Sequence, residues 1–210
     1  MSSYEQKVLR LTRLAASAEQ RYEVAKSVAA SRGSQVAVRH KCFISYHGAD
    51  IDLVTDFVEA FSDVFIPRVV GASDSDHFKD PVNSEEEDYI KQQIGAKYLS
   101  DSTVTILFVG GCTWARKFVD WEIASSLRNS PVNKRNGLLA LTPSNRSENK
   151  LPDRFVDNWA NDDSKYARYR FYPNTEAQLR GCIEDAFVAR TSRPHVIDNS
   201  LKLRTYNSSC

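Results

Sequence analysis

The sequence predicts an α/β domain, a mainly parallel sheet with helices on both faces, preceded by an N-terminal helical arm. Three observations carry this prediction. Short apolar runs alternate with amphipathic segments of helical period, which is how successive strand–helix units read. The runs are apolar along their length instead of alternating with polar residues, as in strands covered on both sides. Residues 4–31 show helical spacing with no strand signal among them.

In the arm, Tyr4, Val8, Leu11, Ala15, Ala18, Tyr22, Ala25 and Ala29 recur at spacings of four and three, a heptad-like seam with four alanines. Small residues let helices approach closely. The seam fits either self-association or packing on its own domain, and both stay open. Gly33-Ser34 ends the arm. The domain begins near Val36, and residues 41–46 form its first strand. After the tight connection His47-Gly48-Ala49, Asp50 is placed to cap a helix carrying Ile51, Val54, Phe57, Val58, Phe61 and Val64. A second short strand spans about 65–70, a polar loop 71–84, and a helix about 85–98.

The third strand is the run 103–109. Gly110-Gly111 turns the chain, Thr113 is placed as an N-cap, and a helix over 113–129 follows. At 100° per residue Trp114, Phe118, Trp121 and Ser125 share a face with Glu122 at its edge. Residues 137–141 form a fourth strand, 151–160 a short helix and 166–172 a final strand. Thr175-Glu176-Ala177-Gln178 is a capping box opening a helix to about Arg190, with Leu179, Ile183, Ala186 and Phe187 inward. From Thr191 the chain reads as a loose tail. The expected division is an arm at 1–35, a domain at 36–191 and a tail at 192–210.

Composition narrows the function classes. A net charge of +1 makes no global case for nucleic acid or a membrane surface. Charge is uneven, however: residues 1–41 hold eight Lys/Arg against three Asp/Glu, and 73–88 hold seven Asp/Glu against one Lys. Cys42, Cys112, Cys182 and Cys210 lie far apart without C-x-x-C spacing, which argues against zinc and for reduced thiols in a cytoplasmic protein. Neither a signal peptide nor a membrane-length apolar stretch is visible.

The dinucleotide fingerprint G-x-G-x-x-G and the phosphate loop G-x-x-x-x-G-K-[ST] are both missing. The third strand ends in Val109-Gly110-Gly111, where a phospho-receiver domain would need an Asp. Asp74-Ser75-Asp76 lacks the glycine that a calcium loop requires at its sixth position, which is Lys79. No metal site is expected.

Open parallel sheets bind ligands at the carboxyl ends of their strands. Residues 45–50, 72–78 and 110–114 should converge there. Backbone N–H groups at Asp50 and Thr113 are placed to receive phosphate oxygens. Tyr46, Phe78 and Trp114 can stack on flat rings, and His47 and His77 can donate hydrogen bonds. Glu122, held against aromatic surface, is the candidate acid, because partial desolvation tunes carboxylates for chemistry.

Phe43-Ile44-Ser45-Tyr46-His47-Gly48-Ala49-Asp50 resembles the first box of the Toll/interleukin-1 receptor (TIR) domain. Residues 102–110, followed by Trp114 and Phe118-Val119-Asp120-Trp121-Glu122-Ile123, resemble the third strand and following helix of that family, with its aromatic-x-x-x-Glu pattern. The likeness covers about 39–142 and is nearest to the TIR-like proteins of bacteria and archaea, including the TIR protein of the Thoeris antiphage system. The Arg-Asp-x-x-Pro-Gly loop of animal adaptors is missing at 68–74.

The resemblance implies a flavodoxin-like (TIR-like) fold. It implies cleavage of the nicotinamide–ribose bond of NAD, with NAD as substrate and no tightly bound cofactor. The product would be a cyclic or conjugated ADP-ribose signal. Carried over by pattern, Glu122 is the catalytic residue, and Ser45, Tyr46 and His47 border the nucleotide. Asp50, His77, Phe78 and Trp114 complete the expected binding set. Expected partners are NAD or a related nucleotide, and a second copy or another protein bound through the helical arm. Two other readings stay open: a non-catalytic TIR-like assembly module, and a nucleoside deoxyribosyltransferase-like enzyme, whose fold also sets a Glu beside a ribose.

Overall fold

The structure is a computed structural model and describes residues 2–69, 99–130, 134–143 and 149–210. In chain order the elements are α1 (Ser3–Ser31), β1 (Lys41–Ser45), α2 (Ile51–Ala60), β2 (Ile66–Arg68), β3 (Val104–Phe108), α3 (Lys117–Leu127), β4 (Gly137–Thr142), α4 (Asp153–Asp157), β5 (Arg168–Phe171) and α5 (Glu176–Ser192). The expected loop 71–84 and helix 85–98, with His77 and Phe78, lie outside the described residues.

The five strands form one sheet in the order β2-β1-β3-β4-β5, with every pairing parallel. This is the flavodoxin-like order, which places a topological switch point between β1 and β3. There Ser45 is opposite Leu107. Successive side chains of a strand face opposite sides, so the two faces carry separate cores. Cys42 and Ile44 of β1, with Val104, Ile106, Phe108, Leu139 and Leu141, pack against α1, α2 and α5. Leu107, Val109, Leu138 and Ala140 pack against Val119, Ile123 and Leu127 of α3 and against Phe155 of α4. The Val119, Ile123, Leu127 spacing of four residues gives α3 its inward stripe.

Helix α1 docks on its own chain. Ser2 and Glu5 form a capping box at its start. Val8, Leu11, Ala15, Ala18 and Tyr22 are buried, and Val8, Leu11 and Ala15 share the core of α2 and β1. Five of the eight seam residues are thus spent within the chain. Ion pairs join α1 to neighbouring elements: its Lys7 to Asp52 at 2.6 Å, its Arg10 to Glu59 at 2.7 Å and its Glu19 to Arg68 of β2 at 2.7 Å. The first two pairs are exposed and contribute at most about 1 kcal/mol each. They orient the helix more than they hold it.

Helix α5 approaches β4 so closely that a Cβ at Gly137 would lie 2.1 Å from the Ala186 carbonyl oxygen, so only glycine fits there. Leu179, Ile183 and Ala186 are buried, and Phe187 is partly buried. The capping box at α5 is offset by one residue. Thr175 Oγ1 accepts from Gln178 N–H, but the Gln178 side chain takes the Asn174 N–H at 2.8 Å.

Three expectations need correction. The segment after 191 is not loose, since α4 and α3 bind it at many points. Arg154 donates to Leu201 O, Lys202 O and Asn199 Oδ1, and Asn158 Nδ2 donates to Asp198 O. The four cysteines are not all reduced: Cys112 is bonded to Cys210, while Cys42 and Cys182 are free thiols. The run 113–129 is not one helix. Thr113–Ala115 is a short 3-10 turn and α3 starts at Lys117, so Trp114 is not on the α3 face. No helix among the described residues is long and apolar enough to cross a membrane.

Candidate functional site

Ser45 is the last residue of β1, and the alternation of the strand turns its side chain toward α3. Its hydroxyl donates to Glu122 Oε2 at 2.6 Å. Both residues are buried, Glu122 retaining 7% exposure. One turn further along α3, Ser126 Oγ lies 2.7 Å from Thr105 Oγ1 of β3 and donates to the Glu122 carbonyl at 2.7 Å. Two polar pairs thus join α3 to β1 and β3, and buried Asn136 adds bonds to Thr105 Oγ1 and to Ser126 O. Burial pushes the Glu122 carboxyl up to about 8, and the Ser45 hydrogen bond pulls the other way.

Tyr46 follows directly and is half-buried. Burial raises its hydroxyl well above the usual range, with Tyr4 and Glu122 adding to the effect. Tyr4, in the first turn of α1, is hydrogen-bonded to Tyr46. The Tyr4 ring also lies against Gly48. The arm therefore contributes to this region, which its position in the sequence gave no reason to expect.

Half-buried His47 has its imidazole held below the ordinary value, chiefly by burial and then by Arg116, with Asp50 opposing. Asp50 stands at the start of α2 but makes no side-chain capping bond. Its carboxylate packs against Gly110 in the turn after β3, where an added Cβ would fall 2.0 Å from Oδ2. The absence of a side chain at Gly110 is what lets the first and third strand-end loops touch. The Asp50 backbone N–H donates to His47 O at 2.8 Å, so this amide is not available to a phosphate as expected.

Thr113 is also reassigned. Its Oγ1 accepts the Gly110 N–H at 2.8 Å and donates to Phe108 O at 3.1 Å, locking the turn after β3. It does not cap α3. Half-buried Trp114 has Lys150 Nζ 4.0 Å from its ring centroid, a cation–π contact. Asn149 Nδ2 donates to Val109 O at 2.9 Å, bringing the segment after β4 to the same end of the sheet.

The structure thus gathers Ser45, Tyr46 and Glu122 into one cluster, and Asp50 with Gly110 into an adjoining contact. Arg116, Lys150, Asn149 and Tyr4 are additions that no local motif marked. Among the described residues no group of three His, Cys, Asp or Glu side chains can hold a metal ion.

A five-stranded parallel sheet in flavodoxin-like order, with a carboxylic acid under the end of β1, is the architecture expected of a TIR-like α/β protein. Residues 43–148, just over half of the chain, match the family described as Thoeris protein ThsB, TIR-like domain, and the chain belongs to that family. It is a defence-related TIR-like protein. Ser45 and Glu122 lie inside the matched span, whereas α1, β5, α5 and the C-terminal segment lie outside it. No curated protein and no solved structure matches the chain.

Proposed function

We propose that this protein cleaves NAD at the nicotinamide–ribose bond and makes an ADP-ribose-derived signal, cyclic or conjugated, in antiphage defence. The observation that supports this most is the setting of Glu122. It is a buried carboxyl group under the carboxyl end of the sheet, gripped by Ser45 and adjacent to Tyr46.

The chemistry asks for such a group. When the C–N bond breaks, its electron pair leaves with nicotinamide, whose ring becomes neutral, and positive charge develops on the ribose. A fixed carboxylate stabilises that charge, and does so more strongly in a water-poor setting. No general acid is required, because the leaving group is cationic from the start. One carboxylate therefore suffices where ordinary glycosidases use two. Hydrophobic and aromatic cover around Glu122 limits water. A hydroxyl or ring nitrogen of the same or a second nucleotide can then capture the cation.

With its carboxyl pushed up to about 8, Glu122 is mostly protonated in the resting protein at neutral pH. The cationic nicotinamide ring favours the ionised form by direct attraction, so substrate binding releases a proton. The substrate itself therefore switches on the group that acts on it. Self-association through α1 has the outward residues Val24 and Val28 to work with, since five of the eight seam residues are already buried.

The test is incubation of purified protein with NAD and, separately, with a deoxynucleoside, followed by assay of free base. Nicotinamide release by the parent protein and its loss in folded Glu122→Gln is the expected result. Undiminished release by Glu122→Gln would overturn the assignment, and base release from the deoxynucleoside alone would move the protein to the transferase class.

A further inference from the structure

The C-terminal segment has no part in the chemistry above, yet it is bound both to α4 and to the helix that carries Glu122. Helix α3 lacks a cap of its own, since Arg116 at its N-cap position makes no side-chain capping bond. Asn207 supplies one from 90 residues away, its Oδ1 accepting the Lys117 N–H at 2.9 Å. Next to it the Ser208 N–H donates to Ala115 O at 2.9 Å. The Trp121 indole N–H donates to Arg204 O at 2.8 Å, and the Arg204 N–H donates to Asp120 Oδ2 at 3.0 Å. Asp120 is in turn paired with buried Arg154, whose remaining N–H groups hold Leu201 O, Lys202 O and Asn199 Oδ1.

The contacts at 117, 120 and 121 precede Glu122 along the helix, and Asn199 Nδ2 donates to Ala124 O at 3.0 Å just beyond it. Ser45 holds Glu122 from the sheet side. The last residue of the segment, Cys210, is bonded to Cys112 in the turn between β3 and α3. Cys210 is exposed and Cys112 half-buried, so the bond lies within reach of a solvent thiol.

We propose that residues 198–210 are a disulfide-locked strap whose Arg204 and Asn207 are positioning residues for α3, and through it for Glu122. The covalent end keeps Asn207 and Ser208 close to Lys117 and Ala115, so their hydrogen bonds form within one molecule at high effective concentration. A dithiol reductant opens the lock by thiol–disulfide exchange. The S–S bond breaks, each sulfur ends as a thiol, and the two electrons and two protons come from the dithiol, which closes to its own disulfide. The freed strap then leaves the Lys117 amide and the Trp121 indole N–H open to water, α3 loosens, and Glu122 loses part of its burial. The consequence for catalysis rests on the proposed function of Glu122; the strap itself does not.

The experiment compares oxidised protein, dithiothreitol-reduced protein, Cys210→Ser, Asn207→Ala and Asn207→Asp, all as the full chain without substrate. Hydrogen exchange is read in residues 115–127 against the β3 amides 104–108 as internal reference, and the Glu122 carboxyl is titrated by carbon-13 NMR. Reduction, Cys210→Ser and Asn207→Ala should speed exchange in 115–127 about tenfold relative to β3. They should also bring the Glu122 midpoint down from about 8 toward its ordinary value. Asn207→Asp, which keeps an acceptor at the helix start, should behave as the parent. Exchange and midpoint unchanged on reduction, or exchange raised equally in β3, would overturn the proposal. NAD turnover is measured in parallel on the same samples. If no sample cleaves NAD but exchange and midpoint respond, the strap stands and the proposed reaction falls.

Discussion

The Ser45 hydroxyl donates a 2.6 Å hydrogen bond to Glu122 Oε2, joining the end of β1 to the middle of α3 across 77 residues of sequence. It is the bond that opposes the effect of burial on Glu122. Ser45→Ala should therefore raise the Glu122 midpoint further and lower nicotinamide release at neutral pH. A hydrogen bond to a charged group contributes about 1.5–3 kcal/mol, so the loss should be roughly 10- to 100-fold. The check is the pH–rate profile of the folded variant, whose acid limb should move to higher pH.

In the parent protein the dependence of kcat/KM on pH should rise along an acid limb with a midpoint near 8, the value to which burial pushes the Glu122 carboxyl in the free protein. A profile that is flat between pH 6 and 9 would detach Glu122 ionisation from the rate.

The same shift makes a stability prediction. The folded protein holds its proton to about 8, while an unfolded chain releases it near the ordinary value of 4.5. Between these values the native state binds more protons, so stability is greatest below the lower value and falls as pH rises toward the upper one. Urea unfolding at pH 5 and at pH 9 should show this loss in the parent. Glu122→Gln should flatten the contribution and be more stable than the parent at pH 9.

Gly110→Ala should drive a methyl group into the Asp50 carboxylate, where the space is 2.0 Å. Overpacking of this kind costs about 1–3 kcal/mol. Asp50→Ala in the same chain removes the obstacle, so the double variant should recover most of the lost stability. A strictly additive double-mutant cycle would mean that the two loops do not meet as described.

Arg154 and Asp120 are a buried ion pair at 2.8 Å with the strap wrapped over them. Arg154→Met leaves Asp120 charged and under-bonded in the interior, at a cost of about 3–5 kcal/mol. Thermal unfolding measures the loss, and proteolysis should begin within residues 198–210 before the rest of the domain is cut.

The sheet was legible because its strands are short apolar runs between turn signals, as in Phe43-Ile44 and Ile106-Leu107-Phe108, and strict alternation was not needed to find them. Glu122 was singled out from its aromatic-x-x-x-Glu pattern at the edge of an aromatic face, whereas its burial comes from the packing of α3 on the sheet through Val119, Ile123 and Leu127. Thr113 misled because a threonine before a helix has two uses, and here its hydroxyl closes the turn at Gly110 instead of meeting a helix amide. The heptad seam of α1 could not say which surface it would cover, since alanine spacing is the same within a chain and between chains. The strap was illegible for a different reason. Its order comes from a buried arginine, a remote helix start and a disulfide, none of which leaves a periodic signal in residues 198–210. Tyr4 had no visible link to Tyr46, because only the docking angle of α1 brings their hydroxyls together.

The way β5 borders β4 has a practical side. A fragment trimmed to residues 43–148 would leave the outer hydrogen-bonding edge of Leu139–Thr142 bare and strip Val8, Leu11, Leu179 and Ile183 from the core. An open apolar edge of that kind templates chain-to-chain pairing. The recognisable part of the molecule is thus smaller than its folding unit, and expression of that part alone should yield aggregates instead of a miniature domain.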